Sequence, residues 1–375
     1  MINRKRLIKL TQELIRINSE NPGGSESKIA RFVNAYLRKL GLKARIYEFR
    51  PGRSNLVAFF PGRNKSKTLL LTPHLDTVPR GRNWHYAPFG AKIKNGLIYG
   101  LGATDCKGNL ACGIEAINSL FEDGEVLGYN LVFAATADEE CGSTWGLLPL
   151  LEKRIIKPDA AVVLDSNEFD IIVTQKGLMH LKVKVRGKRA HGAYPERGKN
   201  AIEIAIKIID GLKRLKVRAP ANKYLRSPTM NIGTIRGGDK VNVVADWCEF
   251  ELDFRFLPGM PAEKLLKDLR RVIRKHAPGA RIEMEAMQKP YAIKEGHSLV
   301  KYLVQAARHE RLKAGIKGSE GATTITFFQK SGIPAVATGF GSKGCAHIPD
   351  EYVKINNLYR GARVLERFLK SYDFT

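Results

Sequence analysis

Acidic and histidine side chains follow apolar, strand-like runs at several places in this chain. They lie in PHLDTVP (Pro73–Pro79), GATDCKGN (Gly102–Asn109), ADEECGS (Ala137–Ser143) and AHIPDE (Ala346–Glu351). An ionised carboxylate is costly to bury unless it is paired or coordinates a metal. Together the segments supply a histidine, an aspartate, a double glutamate and a second histidine. That set suits two zinc-like ions that share one bridging carboxylate.

The length and the order of elements predict two domains. A chain of 375 residues is too long for one compact core. Alternating strands and helices in residues 1–177 and 289–375 predict an α/β domain whose sheet is covered on both faces. A strand–helix–strand–strand–helix–strand order over residues 178–288 predicts an inserted α+β, ferredoxin-like domain.

Hydrophobic spacing predicts the individual elements. The predicted helices are 4–18, 26–40, 107–120, 144–151, 199–215, 261–276, 298–309 and 354–369. The predicted strands are 43–47, 55–60, 68–73, 96–100, 131–137, 160–164, 179–187, 229–235, 247–256, 281–287 and 335–337.

The composition limits the compartment and the partners. Five cysteines without a CxxC pair argue against a disulfide framework and favour a reducing cytoplasm. No apolar run approaches the length of a membrane span, and the N-terminal segment mixes charges with helically spaced apolar residues, which predicts a surface helix rather than a signal peptide. We therefore expect a cytoplasmic protein without a membrane partner.

The net charge of +26, from 63 Lys and Arg against 37 Asp and Glu, raises the question of nucleic-acid binding. The basic residues are scattered along the whole chain, and no zinc knuckle, helix-turn-helix signature or aromatic RNA-binding motif accompanies them. We expect no nucleic-acid function. An acidic substrate, an acidic protein partner or solubility would equally explain the charge.

Each candidate ligand has a structural alternative. His74 and Asp76 point to the same side of an extended chain. One would bind a metal and the other would orient the metal-binding side chain. A buried His–Asp pair without a metal is an equal alternative. Asp105 precedes a helix, where it would either bridge two ions or cap the helix. Three cysteines within two residues of these ligands, at 106, 141 and 345, are interpreted as small apolar packing residues rather than ligands.

Glu139 and Glu140 follow an apolar strand, at the edge of the sheet where α/β proteins bind ligands. Adjacent acids repel each other unless cations compensate them. One glutamate would bind a metal while the other takes a proton from the attacking water; an exposed acidic loop is the alternative. Asp165 ends the next strand, and His347 follows a glycine-rich loop, so each would complete the shell of one metal.

Eight segments in order carry a resemblance to a known family. They are PHLDTVP, WHYAPF, YGLGATDCKGN, DEE, GKRAHGAYPERGKNAI, GGDKVNVVAD, DFRFLPG and AHIPDE. The chain resembles, over nearly its whole length, the zinc-dependent amidohydrolase and peptidase family of acetylornithine deacetylase, succinyl-diaminopimelate desuccinylase, aminoacylase, carboxypeptidase G and dipeptidases. The resemblance implies a mixed-sheet, zinc-exopeptidase-like catalytic domain, with residues 178–288 as a lid and dimerisation domain.

The resemblance also implies a role for each site residue. It implies that His74, Asp105 and Asp165 hold one metal, that Asp105, Glu140 and His347 hold the other, that Glu139 is the general base, and that Asp76 orients His74. It implies that His191 stabilises the oxyanion across a dimer interface and that Asn242, Arg255, Thr323 and Gly339 bind substrate. A cis peptide between Asp105 and Cys106 is implied as well.

Two departures from the family pattern bear on specificity. Asp165 stands where deacylases and carboxypeptidases more often carry glutamate and where aminopeptidases and dipeptidases carry aspartate. The common GGTDARF run reads GATTITF here, with Thr324 and Thr326 in place of an acidic and a basic residue.

We therefore expect a homodimeric two-metal hydrolase that cleaves the amide bond of N-acyl amino acids, with a metal-dependent dipeptidase or exopeptidase as the alternative. Zinc is the expected metal, with cobalt or manganese as alternatives. A binding protein that kept the fold and lost catalysis is a rival, which the intact Glu139 and the five ligand positions disfavour.

Overall fold

The structure is a computed structural model that describes residues 1–374 and divides them into two compact units. Unit 1 comprises Met1–Val173, Ile293–Lys317 and the described residues from Thr323 onward, and unit 2 comprises Thr174–Ala292 and Gly318–Ala322. The predicted insertion at 178–288 lies inside the main segment of unit 2.

The helices and strands are numbered in chain order. The helices are α1 (Arg4–Arg16), α2 (Ser27–Lys39), α3 (Lys107–Glu122), α4 (Leu147–Glu152), α5 (Ala201–Lys213), α6 (Ala262–His276), α7 (Ser298–His309), α8 (Ile325–Lys330) and α9 (Ile355–Ser371). The strands are β1 (Lys43–Glu48), β2 (Ser54–Phe60), β3 (Asn64–Thr72), β4 (Lys92–Lys94), β5 (Leu97–Tyr99), β6 (Tyr129–Ala135), β7 (Ala160–Leu164), β8 (Ile171–Gln175), β9 (Gly177–Arg186), β10 (Thr229–Gly237), β11 (Trp247–Phe256), β12 (Arg281–Gln288), β13 (Tyr291–Ala292), β14 (Ile316–Ser319), β15 (Ala335–Thr338) and β16 (Tyr352–Lys354).

A mixed sheet forms the centre of unit 1, with neighbouring strands in the order β1-β2-β6-β3-β7-β15-β8. The four middle strands β6, β3, β7 and β15 are parallel to one another, and β1 and β2 are antiparallel at one side. Every residue of β6, β7 and β15 is buried, as expected for parallel strands that are covered on both faces. The carboxyl ends of the four parallel strands therefore meet at one edge, which is where such sheets bind ligands.

Helix α3 lies in the interior of unit 1, and all of its residues from Lys107 to Leu120 are buried. It packs against α1 and α9, and α7 packs against α9. Because α3 begins two residues after Asp105, its packing fixes the turn that carries this aspartate.

Unit 2 contains a four-stranded antiparallel sheet in the order β10-β11-β9-β12, with α5 and α6 packed together beside it. Alternate residues of β11 are buried, which gives the sheet one face toward the helices and one polar face. The chain order of these elements is the one that the alternation in the sequence predicted.

The structure differs from the sequence predictions in the shorter elements. Strands β4, β8, β13, β14 and β16 and helix α8 were not predicted, because runs of two to six residues carry too little periodicity to indicate an element. The helix predicted at 144–151 begins at Leu147. Residues 318–322, which were expected in the first domain, group with unit 2, where Glu320 binds the Lys176 ammonium and the Arg226 backbone N–H.

Within residues 1–374, no helix combines the length and the hydrophobicity that crossing a bilayer requires.

Candidate metal centre

The predicted ligands lie at the carboxyl edge of the parallel strands of unit 1. His74 follows β3 after Pro73, Asp165 follows β7 directly, and Glu139 and Glu140 form a single 3-10 turn after β6. Asp105 lies in the turn before α3, and the Asp105–Cys106 peptide is cis, as the resemblance implied. His347 lies in the loop before β16. Apart from His347, each of these polar side chains thus lies just beyond a buried strand or just before a buried helix.

Five of these side chains converge into two overlapping groups. Donor atoms of His74, Asp105 and Asp165 lie within 4.8 Å of one another, and so do those of Asp105, Glu140 and His347. Asp105 belongs to both groups. These are the two sets that the resemblance assigned to two metals, which makes all five residues candidate ligands.

The two oxygens of Asp105 face different histidines. Oδ1 lies 2.9 Å from Nε2 of His74, and Oδ2 lies 3.2 Å from Nε2 of His347, which is also 3.2 Å from Oε1 of Glu140. Two ligands that bind one zinc ion tetrahedrally at their usual bond lengths lie about 3.3 Å apart. Imidazole and carboxylate donors at this spacing therefore fit two small divalent cations with Asp105 between them.

The charges of the group point the same way. Burial raises the pKa of Asp105, but hydrogen bonds from His347 and His74 outweigh it and hold that pKa well below its usual range. Burial and the neighbouring charge of Asp105 raise the pKa of Asp165 to about 7. Burial, followed by the charge of Asp165, raises the pKa of Glu139 well above its usual value. The carboxylates of the cluster thus outnumber the histidines beside them, and divalent cations would balance the excess of negative charge.

His347 responds to the same excess of negative charge. Its hydrogen bonds to Asp105 and Glu140 raise its pKa to about 10. Half of its side chain is exposed, whereas His74 is buried. The two halves of the cluster therefore differ in access to solvent.

Asp76 holds the glutamate turn as well as His74. Nδ1 of His74 lies 3.0 Å from the backbone carbonyl oxygen of Asp76 and 3.5 Å from its carboxylate. The carboxylate accepts the backbone N–H groups of Glu139 and Glu140, each at 3.1 Å. Only the contact of Asp76 with His74 was predicted from the sequence, because contacts over more than sixty residues, such as those with the glutamate turn, leave no local pattern.

Glu351 is a site-supporting residue that the sequence analysis did not single out within AHIPDE. Its side chain is buried, and its carboxylate accepts the backbone N–H groups of Gly102 (2.8 Å), Thr104 (2.8 Å) and Asp105 (2.9 Å). Asp105 itself does not cap α3, since the N-cap is Cys106. The turn that carries Asp105 is therefore held by Glu351 rather than by capping.

The three cysteines near the candidate ligands differ in burial. Cys106 and Cys345 are buried, and Cys106 Sγ contacts the backbone of His74. Cys141 is exposed, so its interpretation as a packing residue was wrong. It lies in the short 3-10 turn, which turns its side chain outward. None of the three belongs to either donor group within residues 1–374.

Two predicted substrate residues lie in unit 1. Gly339 follows β15 and lies beside Ser166, the residue after Asp165. A Cβ at position 339 would lie 1.9 Å from the carbonyl oxygen of Ser166, so only glycine fits there. Thr323 precedes α8, and its hydroxyl lies 3.5 Å from the Ile325 backbone nitrogen. Thr324 and Thr326, which replace the family's charged residues, are buried.

The predicted oxyanion donor His191 and the other two predicted substrate residues lie in unit 2. Nδ1 of His191 accepts the Ala193 backbone N–H at 3.0 Å, so the neutral ring carries its proton on Nε2. The loop of His191 lies against Asn242, whose carbonyl oxygen accepts the Gly192 N–H at 2.8 Å. Arg255 is bound by the carboxylate of Asp253 through Nε (2.8 Å) and a terminal nitrogen (3.1 Å).

Comparison with known proteins identifies the family. Peptidase family M20/M25/M40 matches residues 70–371. The chain belongs to this family. The resemblance stated from the sequence segments is thereby confirmed.

An acetylornithine deacetylase of Vibrio cholerae is 30% identical over 364 residues, which cover 94% of this chain and 93% of that protein. A metallohydrolase of Methanocaldococcus jannaschii is 30% identical over 407 residues, covering 97% and 98%. The structure of a tripeptidase from Staphylococcus aureus is 27% identical, with a TM-score of 0.83 and coverage of 99% and 98%. As a member of the M20/M25/M40 family, this chain is a metal-dependent hydrolase that acts on carbon–nitrogen bonds.

The support of the Asp105 turn in this family member is testable by Glu351→Gln. The amide nitrogen cannot accept a hydrogen bond, so at least one of the three backbone N–H groups loses its acceptor. We expect the affinity for zinc to fall by about 10- to 100-fold, the usual range for residues that support metal ligands. Competition with a chromophoric chelator measures it.

Glu366→Gln is the matched control, because Glu366 binds Ser119 and Lys370 in unit 1 and contacts no candidate ligand. Its zinc affinity is expected to equal that of the wild type. An unchanged affinity in Glu351→Gln would contradict the role given to Glu351.

Proposed function

We propose that this family member is a two-metal deacylase that cleaves the amide bond of N-acyl amino acids, of the acetylornithine deacetylase and succinyl-diaminopimelate desuccinylase type. The observation that carries the proposal is the pair of donor groups sharing Asp105, with Glu139 beside them and outside both groups. The deacetylase relative from Vibrio cholerae supports the choice of substrate class.

We propose zinc as the metal, with cobalt or manganese as alternatives, held by His74, Asp105 and Asp165 on one side and by Asp105, Glu140 and His347 on the other. Bound divalent ions supply Lewis acidity toward a carbonyl oxygen and lower the pKa of water from about 15.7 toward 7. Imidazole and carboxylate ligands suit these metals.

Glu139 acts as the general base in this proposal. Its carboxylate takes a proton from the attacking water and later delivers the proton to the leaving amine nitrogen. Its backbone N–H is bound to Asp76, which fixes where the turn presents the carboxylate. The raised pKa of Glu139, caused by burial and by the charge of Asp165, favours this proton carrier.

The inserted unit contributes substrate contacts. His191 offers Nε2–H as a donor to the developing oxyanion, because its Nδ1 is occupied by the Ala193 N–H. Asn242 and Arg255 hold the substrate, and a terminal nitrogen of Arg255 that Asp253 does not bind remains for a carboxylate or carbonyl oxygen. We also propose that Thr323 and Gly339 bind substrate.

We further propose a homodimer joined through residues 178–288. Strand β10 ends the sheet of unit 2, and its outer side presents an unpaired edge within the described residues. We also propose a cytoplasmic location, which the five free cysteines support, and we propose neither a membrane nor a nucleic-acid partner.

A dipeptidase or other exopeptidase is the second candidate. Asp165 favours it, because aspartate at this position is typical of the aminopeptidase and dipeptidase branches. The structural similarity to a tripeptidase favours it as well. Both candidates use the same metal ligands and the same base.

A substrate panel separates the two candidates. We expect zinc-loaded protein to cleave N-acetyl and N-succinyl amino acids with kcat/KM at least about 100-fold above that for dipeptides and tripeptides, the discrimination that a site built around the acyl group provides. Amine release from each compound measures it. Preference for the peptides would replace the deacylase by the exopeptidase.

The base assignment predicts the behaviour of Glu139→Gln. The amide keeps the shape of the side chain but accepts no proton, so we expect turnover to fall by about 100-fold or more with normal metal content. Metal analysis and steady-state kinetics measure the two quantities. Glu140→Gln is the matched control, in which we expect the occupancy of one metal site to fall. Full activity of Glu139→Gln with two metals bound would exclude Glu139 as the base.

The dimer proposal predicts complementation between inactive variants. His191→Ala lacks the oxyanion donor and Glu139→Gln lacks the base, so a mixed dimer would keep one complete site if His191 acts across the interface. We expect mixing to restore about a quarter of wild-type activity, since half of the dimers are mixed and each has one of two sites intact. Co-purification of differently tagged chains shows the exchange; exchange without recovered activity would contradict shared sites.

A further inference from the structure

A buried asparagine that the mechanism does not use lies directly behind the glutamate turn. Asn21 is 2% exposed. Its amide nitrogen donates to Oδ2 of Asp76 at 2.9 Å and to Oδ1 of Asp138 at 3.2 Å. A single neutral side chain therefore joins the loop after β3 to the turn after β6.

Each of these two carboxylates organises the backbone of that turn. Oδ1 of Asp76 accepts the N–H of Glu139, and Oδ2 accepts the N–H of Glu140. The oxygen that binds Glu140 is thus the one that Asn21 also binds. A displacement of this oxygen would move the backbone of a candidate metal ligand.

Asp138 immediately precedes the glutamate turn and sets its direction. Its φ of 63° lies in the left-handed region, which aspartate tolerates better than most residues. Its carbonyl oxygen accepts the Ser143 N–H at 2.5 Å, and its Oδ2 accepts the Trp145 N–H at 3.0 Å. Oδ1 faces Asn21, so the asparagine completes the set of contacts that hold Asp138.

The charges around Asn21 explain why a neutral donor is needed there. Asp76, Asp138 and Glu26 are all buried, and the ion pair that Arg53 makes with Glu26 (2.7 Å) supplies one cation to the three carboxylates. One oxygen of Glu26 has no hydrogen-bond partner among residues 1–374. A buried carboxylate without donors is strongly destabilised. The amide of Asn21 adds a second donor to Oδ2 of Asp76, beside the Glu140 N–H, and a donor to Oδ1 of Asp138.

The position of Asn21 is itself fixed by backbone pairing. Its N–H donates to the carbonyl oxygen of Thr77 at 2.7 Å, and the Thr77 N–H donates to Ser19 at 3.1 Å. The segment before α2 thus runs beside the residues that follow His74. The side-chain amide is presented to Asp76 and Asp138 in one orientation.

We propose that Asn21 is a positioning residue that holds the Glu139–Glu140 turn in register with Asp76. It would thereby keep the Glu140 carboxylate at its candidate metal site and the Glu139 carboxylate beside the attacking water. The part that concerns Glu139 rests on the proposed function. The part that concerns Glu140 rests only on metal binding.

The test uses the full-length protein loaded with Co²⁺ in place of zinc, with Asn21→Ala and Asn21→Ser compared with the wild type. The alanine removes both donors, and the serine keeps one, so that a milder variant is available if the alanine fails to fold. We expect Co²⁺ affinity at the weaker-binding site to fall by about 10- to 100-fold in Asn21→Ala and by less in Asn21→Ser. The d–d absorption of the cobalt is expected to change with it, while kcat falls and KM stays close to that of the wild type.

Asn130→Ala is the matched control. Asn130 is a buried asparagine near the start of β6, at the opposite end of the strand from Glu139. Its side-chain amide accepts the Gly62 N–H and donates to the Lys65 carbonyl oxygen. We expect it to lower the melting temperature and to leave both Co²⁺ affinities and the absorption spectrum unchanged.

The proposal would be overturned if the Asn21 variants melt at a lower temperature, as Asn130→Ala does, but keep both Co²⁺ affinities and the wild-type absorption spectrum. Wild-type protein that binds two Co²⁺ ions and cleaves no amide would instead remove the proposed function. The affinity and absorption measurements would still decide the role of Asn21.

Discussion

The mutual repulsion of carboxylates at one edge of a buried sheet is the constraint on which the rest of unit 1 depends. Four acidic side chains, at Asp105, Glu139, Glu140 and Asp165, lie near each other with two histidines as the closest counter-charges. Two like charges about 4 Å apart repel each other by about 4 kcal/mol at the effective dielectric of a protein surface. Such a cluster persists when divalent cations neutralise it and when the surrounding backbone cannot move away.

The surrounding loops meet the second condition in a uniform way. Carboxylates outside the donor groups bind backbone N–H groups of the loops that carry the donors: Asp76 binds the glutamate turn and Glu351 binds the turn of Asp105. Asp350, next to Glu351, binds the backbone of His85 and Tyr86. Charged acceptors form stronger hydrogen bonds than neutral ones, so these loops are fixed before any ligand arrives.

Three of the candidate donors could be predicted from periodicity, because His74, Glu140 and Asp165 each follow a buried strand. Glu139 was predicted from the same strand end as Glu140, and Asp105 and His347 were predicted from the glycine-rich segments before them. The order of elements predicted both the sheet of unit 1 and the four-stranded sheet of unit 2. The supports were not found, because nothing local distinguishes the buried acid Glu351 or the buried amide Asn21 from ordinary polar residues. Their partners lie more than fifty residues away, and only the folded backbone brings them together.

The pairing of Glu351 with the turn of Asp105 also bears on how the protein is made. Glu351 and its donor partner Gly102 are separated by 249 residues, and the whole of unit 2 is synthesised between them. Contacts over such distances form late, because the intervening chain has to be ordered first. A ribosome that has completed β3, β6 and β7 still holds a chain without His347 and without the anchor of Asp105. The candidate metal centre is consequently a property of the finished polypeptide, acquired after translation has passed residue 351.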